Sequence, residues 1–94
     1  LVPMLSFKTF DEVIERANNN DLGLCSYIYT NSMEQAHKAS ELMESGTVAV
    51  NTAAVAVAEA PFGGIKQTGY GREGGSMAIK DYLNIKYTHL GLKS

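Results

Sequence analysis

Apolar residues recur along the chain at two spacings, and the switch between them outlines a fold. Phe10, Val13, Ile14 and Ala17 stand at i, i+3, i+4 and i+7, one apolar stripe of a helix. Thr9 and Glu12 fit a capping box ahead of it: Thr9 accepts a backbone N–H and Glu12 reaches back. Asn18-Asn19-Asn20-Asp21 then predicts a break, because short polar side chains compete for backbone hydrogen bonds. Leu24 to Tyr29 is rich in β-formers and reads as a strand. Ser32 and Gln35 make a second capping box before the narrow stripe Ala36, Ala39, Met43. Ser45-Gly46 supplies a stop, with Gly46 expected in the left-handed conformation. Residues 46–50 form the next strand. Strand, helix, strand is a βαβ unit, so the fold class is α/β with parallel strands and a right-handed crossover.

The second half is less regular. Residues 51–62 carry no helical stripe and end at Ala60-Pro61, which disfavours helix at Ala60. Residues 63–75 hold six of the nine glycines. Ser76 is expected to cap a short helix running to Leu83. Residues 84–90 alternate Ile85, Tyr87 and His89 against Lys86, Thr88 and Leu90, a half-exposed strand.

Gly69-x-Gly71-x-x-Gly74 has the spacing of a dinucleotide-binding turn. That turn needs a buried strand before it, a helix after it and an acidic residue about 20 positions later. Gly63 to Thr68 is not a strand pattern, and residues 89–94 contain neither Asp nor Glu. A pyrophosphate role is therefore set aside. The glycines read either as an irregular crossing with Lys66 and Arg72 as solvated charges, or as a loop wrapping under a pocket.

Composition narrows the field further. A chain of 94 residues is one small domain or a piece of a larger one. It opens on Leu1 rather than Met and runs into apolar residues, the expectation for a cut end. A formal charge of −2 without a basic cluster leaves no electrostatic footprint for nucleic acid. The longest run without a polar side chain, Ala53 to Ala58, is far short of the roughly 20 residues that span a bilayer. The single cysteine, Cys25, fits a reducing, cytoplasmic compartment. It stands without a neighbouring His, Lys or Arg to make a thiolate, and reads as a small buried hydrophobe. His37 and His89 have no partner at metal-ligand spacing, so no metal site is expected.

Pro61-Phe62-Gly63-Gly64-x-Lys66-x-x-Gly69-x-Gly71-Arg72-Glu73 resembles the C-terminal signature of the NAD(P)-dependent aldehyde dehydrogenase superfamily. The resemblance runs nearly the whole length, through residues 2–24, Ser45 to Thr52 and Asp81 to Gly91. Ile65-Lys66-Gln67 and Tyr82-Leu83-x-x-Lys86-Tyr87 look most like succinate-semialdehyde dehydrogenases. On that comparison the chain is a C-terminal fragment. Residues 1–83 would be the end of the catalytic α/β domain, with a substrate-mouth loop at 52–62 and a Gly-rich loop at 63–75. Residues 84–94 would be the oligomerisation strand and tail, joining a homo-dimer or tetramer through 84–90. The resemblance implies attack of a Cys thiolate on the aldehyde, hydride transfer to NAD(P)+ and Glu-assisted hydrolysis of the thioester. That Cys and Glu lie in segments this chain lacks, so neither turnover nor cofactor binding is expected of it alone.

The resemblance also implies roles for three residues. Phe62 matches an aromatic lining the substrate tunnel, with ordinary core packing as the other reading. Glu73 matches a glutamate linked to the proton relay, with an ion pair to Arg72 as the other reading. Val57 falls where succinate-semialdehyde dehydrogenases often place a Ser that binds the substrate carboxylate. Ala53 to Ala58 offers neither hydroxyl nor cation, which puts a semialdehyde carrying a carboxylate in doubt. Two further readings stay open: a stand-alone binding module using its exposed strand edge, and a non-hydrolytic reductase of acyl phosphates, against which the Gly-Arg-Glu run counts.

Overall fold

The α1 helix, Phe10–Asn18, begins where Thr9 Oγ1 accepts the Glu12 N–H at 3.1 Å, as its sequence predicts. The reciprocal bond lands one residue early: Glu12 Oε2 accepts from the Lys8 N–H at 2.9 Å. A computed structural model describes residues 1–93 of the chain. The helix stops at the asparagine run because the side chains take over the backbone bonds. Asn20 donates from Nδ2 to the Ala17 carbonyl and accepts the Leu22 N–H, both at 2.7 Å.

After β1 (Leu22–Gly23) come β2 (Cys25–Ile28), α2 (Met33–Leu42) and β3 (Thr47–Val50). The expected βαβ unit is present. Strands β2 and β3 pair in parallel, Cys25 with Thr47 through Ile28 with Val50. Ser32 Oγ caps α2 through the Gln35 N–H, but Gln35 turns its side chain to the Thr30 hydroxyl instead of closing the box. Ala39 and Ala49 are the buried apolar residues, 2 % and 5 % exposed, so the small face of α2 does seat on β3.

Two expectations fail here. Gly46 is not left-handed; α2 ends at Met43 in an extended conformation. Gly46 is small for another reason: a Cβ there would overlap the Gly63 carbonyl. Ser76 caps nothing, because the following helix is a 3-10 turn over Ala78–Tyr82 with Met77 before it. Residues 84–90 make no ladder, and Ile85, Tyr87 and Leu90 are all fully or largely exposed. A strand gains its energy from a neighbour, and among the described residues none lies beside this segment.

A last short strand, β4 (Ile65–Lys66), pairs antiparallel with β1. The Cα radius of gyration is 19.1 Å with extents of 75 × 28 × 25 Å, where a compact domain of this size would have about 12 Å. Both ends are exposed, and Leu1, Val2, Met4, Leu5 and Leu92 bury little. No helix among the described residues is long and apolar enough to cross a membrane.

Candidate substrate-mouth site

Two of the three residues implicated by resemblance are joined directly. The Phe62 N–H donates to the Glu73 carbonyl at 2.7 Å, and the Glu73 N–H returns a bond to the Phe62 carbonyl at 2.8 Å. This antiparallel pair closes the Gly-rich segment into a loop with a neck. Below the neck, the Gly75 N–H donates to the Ala58 carbonyl at 2.7 Å. Gly74 has φ +78°, and a Cβ there would sit 2.9 Å from the Ala60 carbonyl. Backbone thus lies on backbone, and residues 57–60 are clasped against 73–75. Val57 enters this cluster through its carbonyl, which accepts the Ala60 N–H at 3.3 Å, while the residue is 52 % exposed.

Phe62 is half-buried and borders an open groove of about 280 Å³ that Leu24, Tyr70, Arg72, Glu73 and Asp81 also line. The Glu73 side chain is exposed and meets no hydrogen-bond or ion-pair partner among the described residues. The ion pair with Arg72 is not formed. Arg72 instead donates from Nη1 to the Gly64 and Gly71 carbonyls, both at 2.8 Å, and its backbone N–H goes to Asp81 Oδ2 at 3.0 Å. A guanidinium between two carbonyls holds the loop in shape; it is not a solvated charge.

Lys66 is not solvated either. Its ammonium donates to the Asn18 carbonyl at 3.0 Å and the Asn20 carbonyl at 3.2 Å, and pairs with Glu44 at 2.6 Å. Asn51 is not marked by the sequence pattern either. It takes φ +55° at the end of β3, accepts the Thr30 N–H at 2.9 Å and donates back to the Thr30 carbonyl at 3.0 Å. Its amide replaces a peptide group and extends the β2–β3 pairing by one rung at the start of the 52–62 loop. Asn at a strand end tolerates left-handed φ, and that was the available signal. For Lys66 the local pattern holds none, because its partners lie 22 to 48 residues away; for Arg72 and Asp81 the partners are within nine residues but follow no helical or strand period.

Cys25 is half-buried rather than buried, with Sγ 3.9 Å from the Ser26 carbonyl and no cation paired with it among the described residues. His37 stands exposed on α2, and His89 meets the Tyr87 hydroxyl at 3.2 Å. No group of three His, Cys, Asp or Glu residues suited to a metal occurs among the described residues.

The Gly-rich loop does not fit a dinucleotide pyrophosphate. The two-residue β4 pairs antiparallel with β1, only a turn and a 3-10 segment follow Gly74, and the Gly64 and Gly71 carbonyls are engaged by Arg72. A pyrophosphate needs N–H groups converging at a helix N-terminus.

The sequence pattern of the aldehyde dehydrogenase family matches residues 1–88. A 3-sulfolactaldehyde dehydrogenase of Pseudomonas putida is 50% identical over 91 residues, covering 97% of this chain and 19% of its own length. An NADP(+) succinate-semialdehyde dehydrogenase of Escherichia coli is 42% identical over 92 residues, covering 98% of this chain and 19% of its own. The NAD+ complex of a Bacillus cereus aldehyde dehydrogenase superposes with TM-score 0.86 at 40% identity, over 95% of this chain and 18% of that one. The chain thus spans about a fifth of the length of these relatives. With the sequence, the βαβ unit and the clasped loop all in agreement, the chain belongs to the aldehyde dehydrogenase family.

Proposed function

We propose that this chain is the part of an NAD(P)+-dependent aldehyde dehydrogenase that walls the substrate entrance and joins subunits. The observation that carries the reading is the neck, which sets an aromatic and a carboxylate side by side on a rigid backbone pair. The overall reaction takes an aldehyde, NAD(P)+ and water to a carboxylate, NAD(P)H and protons. A dinucleotide held elsewhere in the longer polypeptide would supply the hydride acceptor. Phe62 presents an apolar wall to the aldehyde's chain and keeps water from it. Glu73 accepts and passes on a proton at its carboxylate while a water is deprotonated elsewhere. Neither residue is a nucleophile, and Cys25 lacks the surroundings of one.

Succinate semialdehyde is the first substrate to test, and Val57 marks the wall nearest its far end. Because residues 53–58 carry neither hydroxyl nor cation, a cation for that carboxylate comes from outside this loop. Residues 84–90 take up a strand position against a second subunit, which supplies the ladder they lack here. A cytoplasmic setting suits the lone thiol.

The test is to purify the longer polypeptide that carries this segment and supply succinate semialdehyde with NAD+ or NADP+. Steady formation of reduced nicotinamide together with succinate supports the reading. Binding of nicotinamide without turnover of any aldehyde, straight-chain or carboxylated, sinks it.

A further inference from the structure

The neck at Phe62 and Glu73 is one end of a loop whose other end is pinned in a different way. At that far end Ile65 and Lys66 pair with Gly23 and Leu22. The Gln67 N–H donates to the Asp21 carbonyl at 2.9 Å, and Thr68 Oγ1 accepts the Gly23 N–H at 2.8 Å. Lys66 stands out among these residues because its φ is +58°. A residue with a Cβ pays free energy for that conformation, and a glycine would not. Glycines surround it, yet the position carries the longest flexible cation.

The side chain explains why. An ammonium has three donors, and three acceptors meet it: the Asn18 carbonyl, the Asn20 carbonyl and Glu44 Oε2. Asn18 is the last residue of α1, where the helix dipole favours a cation. Glu44 sits between α2 and β3, and its own N–H is held by Asn18 Oδ1 at 2.9 Å. One nitrogen therefore ties the α1 end, the α1–β1 link and the α2–β3 link to the loop. Strained backbone of this kind persists where its surroundings over-determine it, and the Lys66 side chain is only 26 % exposed.

We infer that Lys66 is a positioning residue for the substrate mouth: its ammonium latches the loop's far end to the βαβ unit and so sets where Phe62 and Glu73 stand. The kinetic arm of the test rests on the aldehyde-oxidising reading; the exchange arm does not.

The experiment compares Lys66→Met, Lys66→Gly and Lys66→Arg in the longer polypeptide, following amide exchange at Phe62 and Glu73 and the aldehyde KM and kcat. Lys66→Met keeps the strain and loses the charge; Lys66→Gly loses both. Expected for both is exchange at the two neck amides faster by about tenfold or more. A KM raised roughly tenfold, through Phe62, and a kcat lowered by about threefold or more, through Glu73, should accompany it. Lys66→Arg should recover part of each. Exchange quickened only at Leu22 and Gln67, with Phe62 and Glu73 unchanged, overturns the inference. So does wild-type behaviour of Lys66→Gly, or faster neck exchange at an unchanged KM, which would leave Lys66 a mere brace. If Lys66→Met fails to fold, Glu44→Gln is read by the same two amides and the same KM. A parent without aldehyde turnover refutes the functional reading, while the exchange data still decide whether Lys66 controls the neck.

Discussion

Phe62 and Glu73 hold each other through the backbone alone, in one antiparallel pair of hydrogen bonds at 2.7 and 2.8 Å. Their side chains can therefore be changed without opening the neck, which makes their separate contributions measurable. In the longer polypeptide, Phe62→Ala should raise the aldehyde KM by about tenfold with little change in kcat, the loss of roughly one half-buried aromatic wall. Glu73→Gln should instead lower kcat by about tenfold to a hundredfold, at or below the range for direct acid–base groups. Steady-state kinetics on both variants checks this, and equal effects on the same parameter would contradict the division of roles.

Gly46 offers a test of packing free of backbone strain, since its φ is not left-handed. A methyl group there would strike the Gly63 carbonyl and press on Gly64 Cα at 2.7 Å. Gly46→Ala should cost about 1–3 kcal/mol by overpacking, read from denaturant midpoints. The same change at Gly69, where a Cβ meets nothing within 4 Å, should cost only the positive-φ penalty of about 1 kcal/mol.

Asn51 combines two effects that substitution can separate. Asn51→Gly keeps φ accessible and loses both bonds to Thr30; Asn51→Ala loses the bonds and adds strain. The alanine variant should be less stable than the glycine variant by about 1 kcal/mol. Thermal unfolding of the pair decides it, and an alanine variant as stable as the glycine one would show that the φ is not enforced.

Glu12 gives the start of α1 a pH dependence. Bonding to the Lys8 N–H, with help from Thr9 and Arg16, holds its carboxyl below the usual value of 4.5. A depressed pKa in the folded state means the stabilisation is complete above the unfolded value and fades as pH falls through the folded one. Acid titration of α1 helicity should show a loss below pH 4.5 that Glu12→Gln abolishes. Thr9→Ala should weaken the same helix by about 1 kcal/mol at neutral pH.

The parts of the fold legible in the sequence are those made by near neighbours. The helix of Phe10, Val13, Ile14 and Ala17, its Thr9 cap, the asparagine stop and the parallel βαβ unit all rest on contacts within a few turns or on one short crossover. The terminal alternation at 84–90 was legible as a strand pattern, but a pattern does not pair, and no neighbour lies beside it among the described residues. Resemblance singled out Phe62, Val57 and Glu73 without indicating how they are held.

Sequence alone therefore determined α1, α2, the parallel pair β2 and β3 with the α/β class, and the family of residues at the mouth. Tertiary structure decided what Gly46 is small for, why Lys66 carries a charge in a glycine's conformation, and that Arg72 grips carbonyls instead of Glu73. The physical reason is that these depend on backbone groups that only the folded path of the loop brings close. A carbonyl carries no trace of its partner in the letters of the chain, whereas a helical stripe or a capping hydroxyl does.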